Sequence, residues 1–189
     1  MTGFRQVDET EVWQGYVYRL VTGTFESPSG ERFERHIVRT PGAVSCVPIV
    51  YDDADVERSN PRVVLIRQYR APHDAMVVEI PAGVRDVAGE ADADNVRREL
   101  VEEVGLVPGN VDYLTSIYPS AGITDSDNAI FLASDCVRVE RVPHGPEEEF
   151  AEIFDIPLTE AIEWVEAGTI VDAKSVVGLL FAERRLRAG

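Results

Sequence analysis

Short stretches of apolar, β-branched residues dominate the first part of the chain, some alternating with polar positions and some unbroken. Residues 12–25 (VWQGYVYRLVTGTF) are β-branched and aromatic in partial alternation, which predicts a strand. The turn Ser27-Pro28-Ser29-Gly30 and residues 32–39 predict a returning strand. Residues 1–40 therefore read as a β-hairpin lobe, set off by Pro41-Gly42. Apolar runs at 43–51 and 62–69 predict buried strands on either side of an acidic loop at 52–61, and 76–80 a shorter strand ending at Pro81. Further strands are predicted at 111–118, 129–134 and 153–156, with a loop at 119–127 and an acidic loop at 144–149. Thr159 is placed to cap a helix ending at Gly168. Asp172 is placed to cap a second helix running to about Arg187, with Val176, Val177, Leu180 and Phe181 on its inner face. Strands, a helix, more strands and two helices make a mixed α/β class, with a mixed sheet between helices.

Within 82–106 the apolar spacing changes to a helical one. Val96, Leu100, Val101 and Val104 share one arc of the wheel, predicted to face the core. Glu99, Glu102 and Glu103 fall on the neighbouring arc, Glu99 and Glu103 one turn apart. Three carboxylates on one rigid edge repel, and each raises the others' pKa. A hard divalent cation removes that cost, because carboxylate oxygens are preferred ligands of Mg²⁺ and Mn²⁺. The plain alternative is a solvated acidic face. Arg98 points to another side of this wheel and is available to pair with Glu90.

Composition narrows the partners. A net charge of −16 argues against a nucleic-acid surface and against an anionic membrane. No apolar run approaches the ~20 residues of a membrane-spanning helix. The N-terminal residues show no basic region leading into an apolar core, so no secretory signal is expected and a cytoplasmic location is. Cys46 and Cys136 belong to no metal-binding spacing and read as free thiols. Lys174 is the only lysine among 18 basic residues, which reads as a bias of composition.

The 82–106 stretch resembles the signature box of the Nudix hydrolases. The match from Glu90 is complete: seven residues, then Arg98, Glu99, Leu100, Glu102, Glu103, Gly105 and Leu106. It departs once, with six residues instead of five between Gly83 and Glu90. The flanks resemble the ADP-ribose (ADP-sugar) pyrophosphatase branch. The lead-in is Gln68-Tyr69-Arg70 with Glu79-Ile80-Pro81-Ala82-Gly83. The loop runs from Pro119 through Gly122 to Asp125, and the tail carries Asp172-Ala173. The resemblance covers about 37–182.

The resemblance implies a Nudix fold over 41–189, and two or three Mg²⁺ (or Mn²⁺) ions held by Glu99, Glu102, Glu103 and the Ala82 carbonyl. It implies a catalytic glutamate from the acidic loop: Glu147 first, then Glu148, with Glu149 also open. It makes Arg67, Arg70, Glu79, Pro119 and Gly122 candidates for substrate contact, and Gly83, Glu90, Arg98 and Gly105 structural braces of the box. It implies a homodimer through the N-terminal lobe, where Trp13, Tyr16 and Tyr18 would lie and help line the substrate site. The expected reaction is hydrolysis of a nucleoside-diphosphate sugar, with ADP-ribose giving AMP and ribose 5-phosphate. Another nucleotide sugar, a dinucleotide or an oxidised nucleotide is the alternative substrate, and a non-hydrolytic ligand sensor the alternative class.

Overall fold

The structure is a computed structural model and describes residues 3–52, 54–142 and 146–188, without the side chains of Pro146 and Glu147. The side chain of Glu147, a catalytic candidate of the acidic loop, lies outside the described residues. The chain forms two compact units, one running to Gly42 and taking in Tyr118–Asp127, the other comprising Ala43–Ile117 and the chain from Asn128 onward.

The first unit is an antiparallel sheet of β1 (Arg5–Gln14), β2 (Arg19–Glu26) and β3 (Arg32–Arg39), in that order. The single strand expected over 12–25 is two strands, and the sheet gains a strand starting at Arg5. The break falls at Gly15, whose N–H donates to the Tyr18 carbonyl at 2.9 Å. The Trp13 ring lies over Gly15, and a Cβ there would stand 2.5 Å from it. Tyr16 and Val17 give this turn the composition of a strand although Tyr16 is fully exposed, so composition alone conceals it. The loop 119–125 adds to the same sheet, with Val38 N–H donating to the Ile123 carbonyl at 2.9 Å.

The second unit is built on β4 (Ala43–Val50), β5 (Arg62–Arg70), β9 (Asn110–Ile117), β10 (Asn128–Ser134) and β12 (Glu152–Pro157), ordered β12-β5-β4-β10-β9. Strand β6 (Ala75–Glu79) pairs with β5, and β7 (Ala82–Val84) with β4. The short β8 (Leu106–Val107) and β11 (Val137–Arg138) pair with each other. The β4–β10 pair is parallel and the others antiparallel, so the sheet is mixed as expected. Strand alternation splits the apolar residues between two cores. Val44, Cys46, Val64, Ile66, Ala129 and Phe131 meet Val96, Leu100 and Val104 of α1 (Asp92–Val104). Val47, Ile49, Val63, Leu65, Ile130 and Leu132 meet α3 (Leu158–Glu166) and α4 (Ala173–Ala188) on the other face. A sheet covered on both faces needs unbroken apolar strands, which is what the runs at 43–51 and 62–69 supply. The four-residue α2 (Pro146–Glu149) lies in the acidic loop.

Three helix details differ from the sequence reading. Helix α3 begins at Leu158 with Pro157 in the cap position and no side-chain cap, so Thr159 sits inside the first turn. Helix α4 packs through Ser175, Gly178, Leu179 and Ala182, with Val176 and Val177 partly buried against the same core as expected, while Leu180 and Phe181 are exposed. Small residues carry the approach: a Cβ at Gly178 would stand 3.0–3.2 Å from Ile80, Val47 and Ile130. In α1, Glu103 takes a buried place and Val101 is only half-buried. Asp172 does cap α4, accepting from the Ser175 N–H at 3.0 Å.

Candidate active site

The site is assembled where β7 runs beneath α1. Register with β4 places Ala82 opposite Ser45 and Gly83 opposite Val44. The side chain of Asn95 donates to the Val84 carbonyl at 3.1 Å and fastens the end of β7 to the helix. Gly83 permits the close approach, because a Cβ there would come within 2.0 Å of the Glu99 carboxyl carbon. The Ala82 N–H donates to Glu103 Oε2 at 2.9 Å. Gly105 ends the helix in the left-handed region (φ 65°), with its N–H bonded to the Val101 carbonyl. The six-residue link from Gly83 to Glu90 closes through a turn with Gly89 at φ 81°, and Arg85 pairs with Asp92 at 2.7 Å. Helix α1 starts without a side-chain cap, and Asp92 and Asp94 occupy its first turn, where negative charge suits the helix dipole.

Glu99, Glu102 and Glu103 project from one edge of α1. Burial comes first in pushing the Glu103 carboxyl up to about 8, with the charges of Glu99 and Glu148 adding to it against the Ala82 N–H and Arg70. Burial likewise pushes Glu99 up to about 7, with Glu102 and Asp86 adding and Arg98 opposing. Arg98 does not point away from this edge, as the wheel suggested. Its guanidinium donates to both oxygens of Glu90 at 3.2 Å, to Glu99 at 2.8 Å and to Glu102 at 3.1 Å. The long side chain turns along the helix surface and ties the loop carboxylate to two carboxylates of the edge.

Arg67 and Arg70 leave β5 on opposite faces. Arg67 donates to Glu152 at 2.7 Å and lies over the Phe154 ring, 5.3 Å from its centroid. Arg70 forms a two-pronged pair with Glu79, Nε and Nη2 each 2.6 Å from a carboxylate oxygen, and its charge acts on Glu103. Burial pushes Glu79 up, but hydrogen bonds and charge from Arg70 and Lys174 hold it below its ordinary value. Arg70 and Glu79 line a cleft of about 500 Å³ with Met76, Val171 and Asp172. Pro119 and Gly122 are exposed positions in the loop of the first unit. Lys174, which the sequence presents only as a bias of composition, lines the same cleft as Arg70 and Glu79.

A family model described as NUDIX domain matches residues 40–176. The chain belongs to the NUDIX family. It is 28% identical over 179 residues to a methanol dehydrogenase activator of Bacillus methanolicus, covering 95% of this chain and 92% of that one. It is equally similar, with the same coverage, to an ADP-ribose pyrophosphatase of Bacillus subtilis (strain 168). A solved structure titled as an ADP compounds hydrolase superposes with a TM-score of 0.81 over 98% of this chain and 95% of its own, at 22% identity, which is a likeness of fold.

Nudix hydrolases generally need a divalent metal, and the donors on α1 fit one. They are hard oxygens on a rigid edge, beside a backbone held to Glu103. Among the described residues no three His, Cys, Asp or Glu side chains converge closely enough to hold an ion as they stand. Arg98 occupies Glu99 and Glu102 in this arrangement. Among the described residues no helix is long and apolar enough to cross a membrane.

Proposed function

We propose that this Nudix hydrolase cleaves the pyrophosphate bond of a nucleoside-diphosphate sugar, with ADP-ribose as substrate and AMP and ribose 5-phosphate as products. The observation that carries the reading is the α1 edge. Two of its carboxylates are raised by burial, one of them is tied to the Ala82 backbone, and the Arg70 charge acts on it. Burying carboxylates at a cost of this kind is a mark of a functional site.

Glu99, Glu102, Glu103 and the Ala82 carbonyl would hold two or three Mg²⁺ (or Mn²⁺) ions, which neutralise the diphosphate and make water a stronger acid. Water oxygen bonds to one phosphorus as the bridging oxygen leaves with the other phosphate. A loop carboxylate takes the proton. Glu147 and Glu148 are the candidates, and the charge of Glu148 acts on Glu103. Arg70 has two N–H groups on Nη1 beyond those committed to Glu79, and it is our phosphate-binding residue. Arg67 is the weaker candidate, since it leaves β5 on the face opposite Arg70, where it pairs with Glu152. Pro119 and Gly122 are retained as substrate-lining positions. In the first unit, Trp13, Tyr16 and Tyr18 are exposed, and we take them as a homodimer surface. A nucleotide substrate suits a cytoplasmic enzyme.

The deciding experiment is a substrate panel with Mg²⁺ and product identification: ADP-ribose, GDP-mannose, a dinucleoside polyphosphate and an oxidised nucleoside triphosphate. The reading expects ADP-ribose to have the highest kcat/KM. A tenfold preference for another compound moves the substrate assignment, and hydrolysis of none of them leaves the sensor reading.

A further inference from the structure

Lys174 sits at the start of α4, against the Arg70–Glu79 pair. In a chain with 18 basic residues the only lysine has a side chain 12% exposed and sits between two carboxylates. Its ammonium bonds Glu79, which is 2% exposed, and Asp172 at 2.9 Å. Asp172 also accepts from the N–H and hydroxyl of Ser175, and the Ser175 hydroxyl accepts from the Ile80 N–H at 2.9 Å. The start of α4 is thus bonded both to the carboxylate that holds Arg70 and to the backbone two residues before Ala82.

We infer that Lys174 is a positioning residue for substrate binding: it fixes the Glu79 carboxylate, and Glu79 fixes the direction in which Arg70 presents its remaining N–H groups. The argument rests on Arg70 being the phosphate-binding residue proposed above. A carboxylate held by one bidentate arginine can rotate with it as a unit. A second cation on Glu79 Oε2, itself anchored at the cap of a packed helix, removes that freedom. The cluster is charge-balanced, with Arg70 and Lys174 against Glu79 and Asp172, so loss of Lys174 leaves a buried carboxylate that draws on Arg70 alone. A compact ammonium suits a slot already occupied on its other side by a guanidinium.

The test is a double-mutant cycle on the Mg²⁺-loaded enzyme, with ADP-ribose or whichever panel compound the wild type hydrolyses. Lys174→Met is expected to raise KM about tenfold while kcat changes less than about threefold. In an Arg70→Ala background the same change is expected to move KM less than about twofold, because the residue it acts through is gone. An unchanged KM in Lys174→Met overturns the inference, and so does an equal rise in both backgrounds, which marks a general structural effect. If Lys174→Met does not fold, Lys174→Gln keeps a hydrogen-bond donor and carries the same comparison; failure of both to fold assigns Lys174 to folding and also overturns it. Absence of hydrolysis by the wild type across the panel counts against the proposed function instead.

Discussion

The backbone N–H of Ala82 donates to Glu103 Oε2 at 2.9 Å, so the last turn of α1 is tied to the strand beneath it beside Gly83. The bond fixes one of the two carboxylate oxygens of Glu103. It also sets the spacing between that carboxylate and the Ala82 carbonyl. Local geometry at 82–83 is therefore part of the site even though neither residue has a reactive side chain.

Gly83→Ala tests that geometry. The new methyl would stand 2.0 Å from the Glu99 carboxyl carbon, at the far end of a flexible side chain. Glu99 swings away while the backbone, which has no positive φ here, keeps its course. Turnover is expected to fall by at least about 10-fold, with a stability loss of about 1 kcal/mol or less. Thermal unfolding alongside initial rates separates the two.

Gly105→Ala is expected to do the reverse. Its φ of 65° disfavours any side chain, and a Cβ would meet the Val139 carbonyl oxygen at 2.6 Å. Backbone must shift, so the urea midpoint should drop by the equivalent of about 2 kcal/mol or more.

The raised carboxylates give a pH prediction with a definite sign. Glu103 at about 8 and Glu99 at about 7 lie above the ordinary glutamate value of 4.5. Between 4.5 and those values the folded, metal-free protein binds more protons than the unfolded chain. This contribution to stability is complete below pH 4.5 and is lost as pH rises through 7 to 8. In EDTA the melting temperature should fall from pH 6 to pH 8.5, and Mg²⁺ should raise it more at pH 8.5 than at pH 6, because the ion takes the deprotonated carboxylates. A Mg²⁺ effect larger at pH 6 contradicts this.

Arg98→Met removes the guanidinium shared by Glu90, Glu99 and Glu102. Metal-free stability is expected to fall by about 1–3 kcal/mol. Part of that loss should return with saturating Mg²⁺, since a cation replaces the missing charge. Denaturant titrations with EDTA and with Mg²⁺ give the comparison.

These expectations differ in how far the sequence carried them. The Glu99–Glu103 edge follows from helical spacing alone, and the two-faced sheet from unbroken apolar strands. The inner face of α4 follows only in part: Val176 and Val177 pack as expected, but the closest approach is through Ser175, Gly178 and Ala182, which carry little hydrophobic signal. The turn at Gly15 is hidden by aromatic and β-branched neighbours that face solvent. The direction of Arg98 depends on rotamers that a wheel does not contain. The Lys174–Glu79 pair joins positions 95 residues apart, and no local pattern marks such a contact.

The central claim is that the α1 carboxylates carry a metal-dependent pyrophosphate hydrolysis. Glu103→Gln tests it cleanly, because the amide oxygen can still accept from the Ala82 N–H while the charge is gone. The measurement is AMP release from ADP-ribose with saturating Mg²⁺, beside a melting curve. The account predicts a loss of at least about 10³-fold in kcat with the fold retained; turnover within a few-fold of wild type would contradict it.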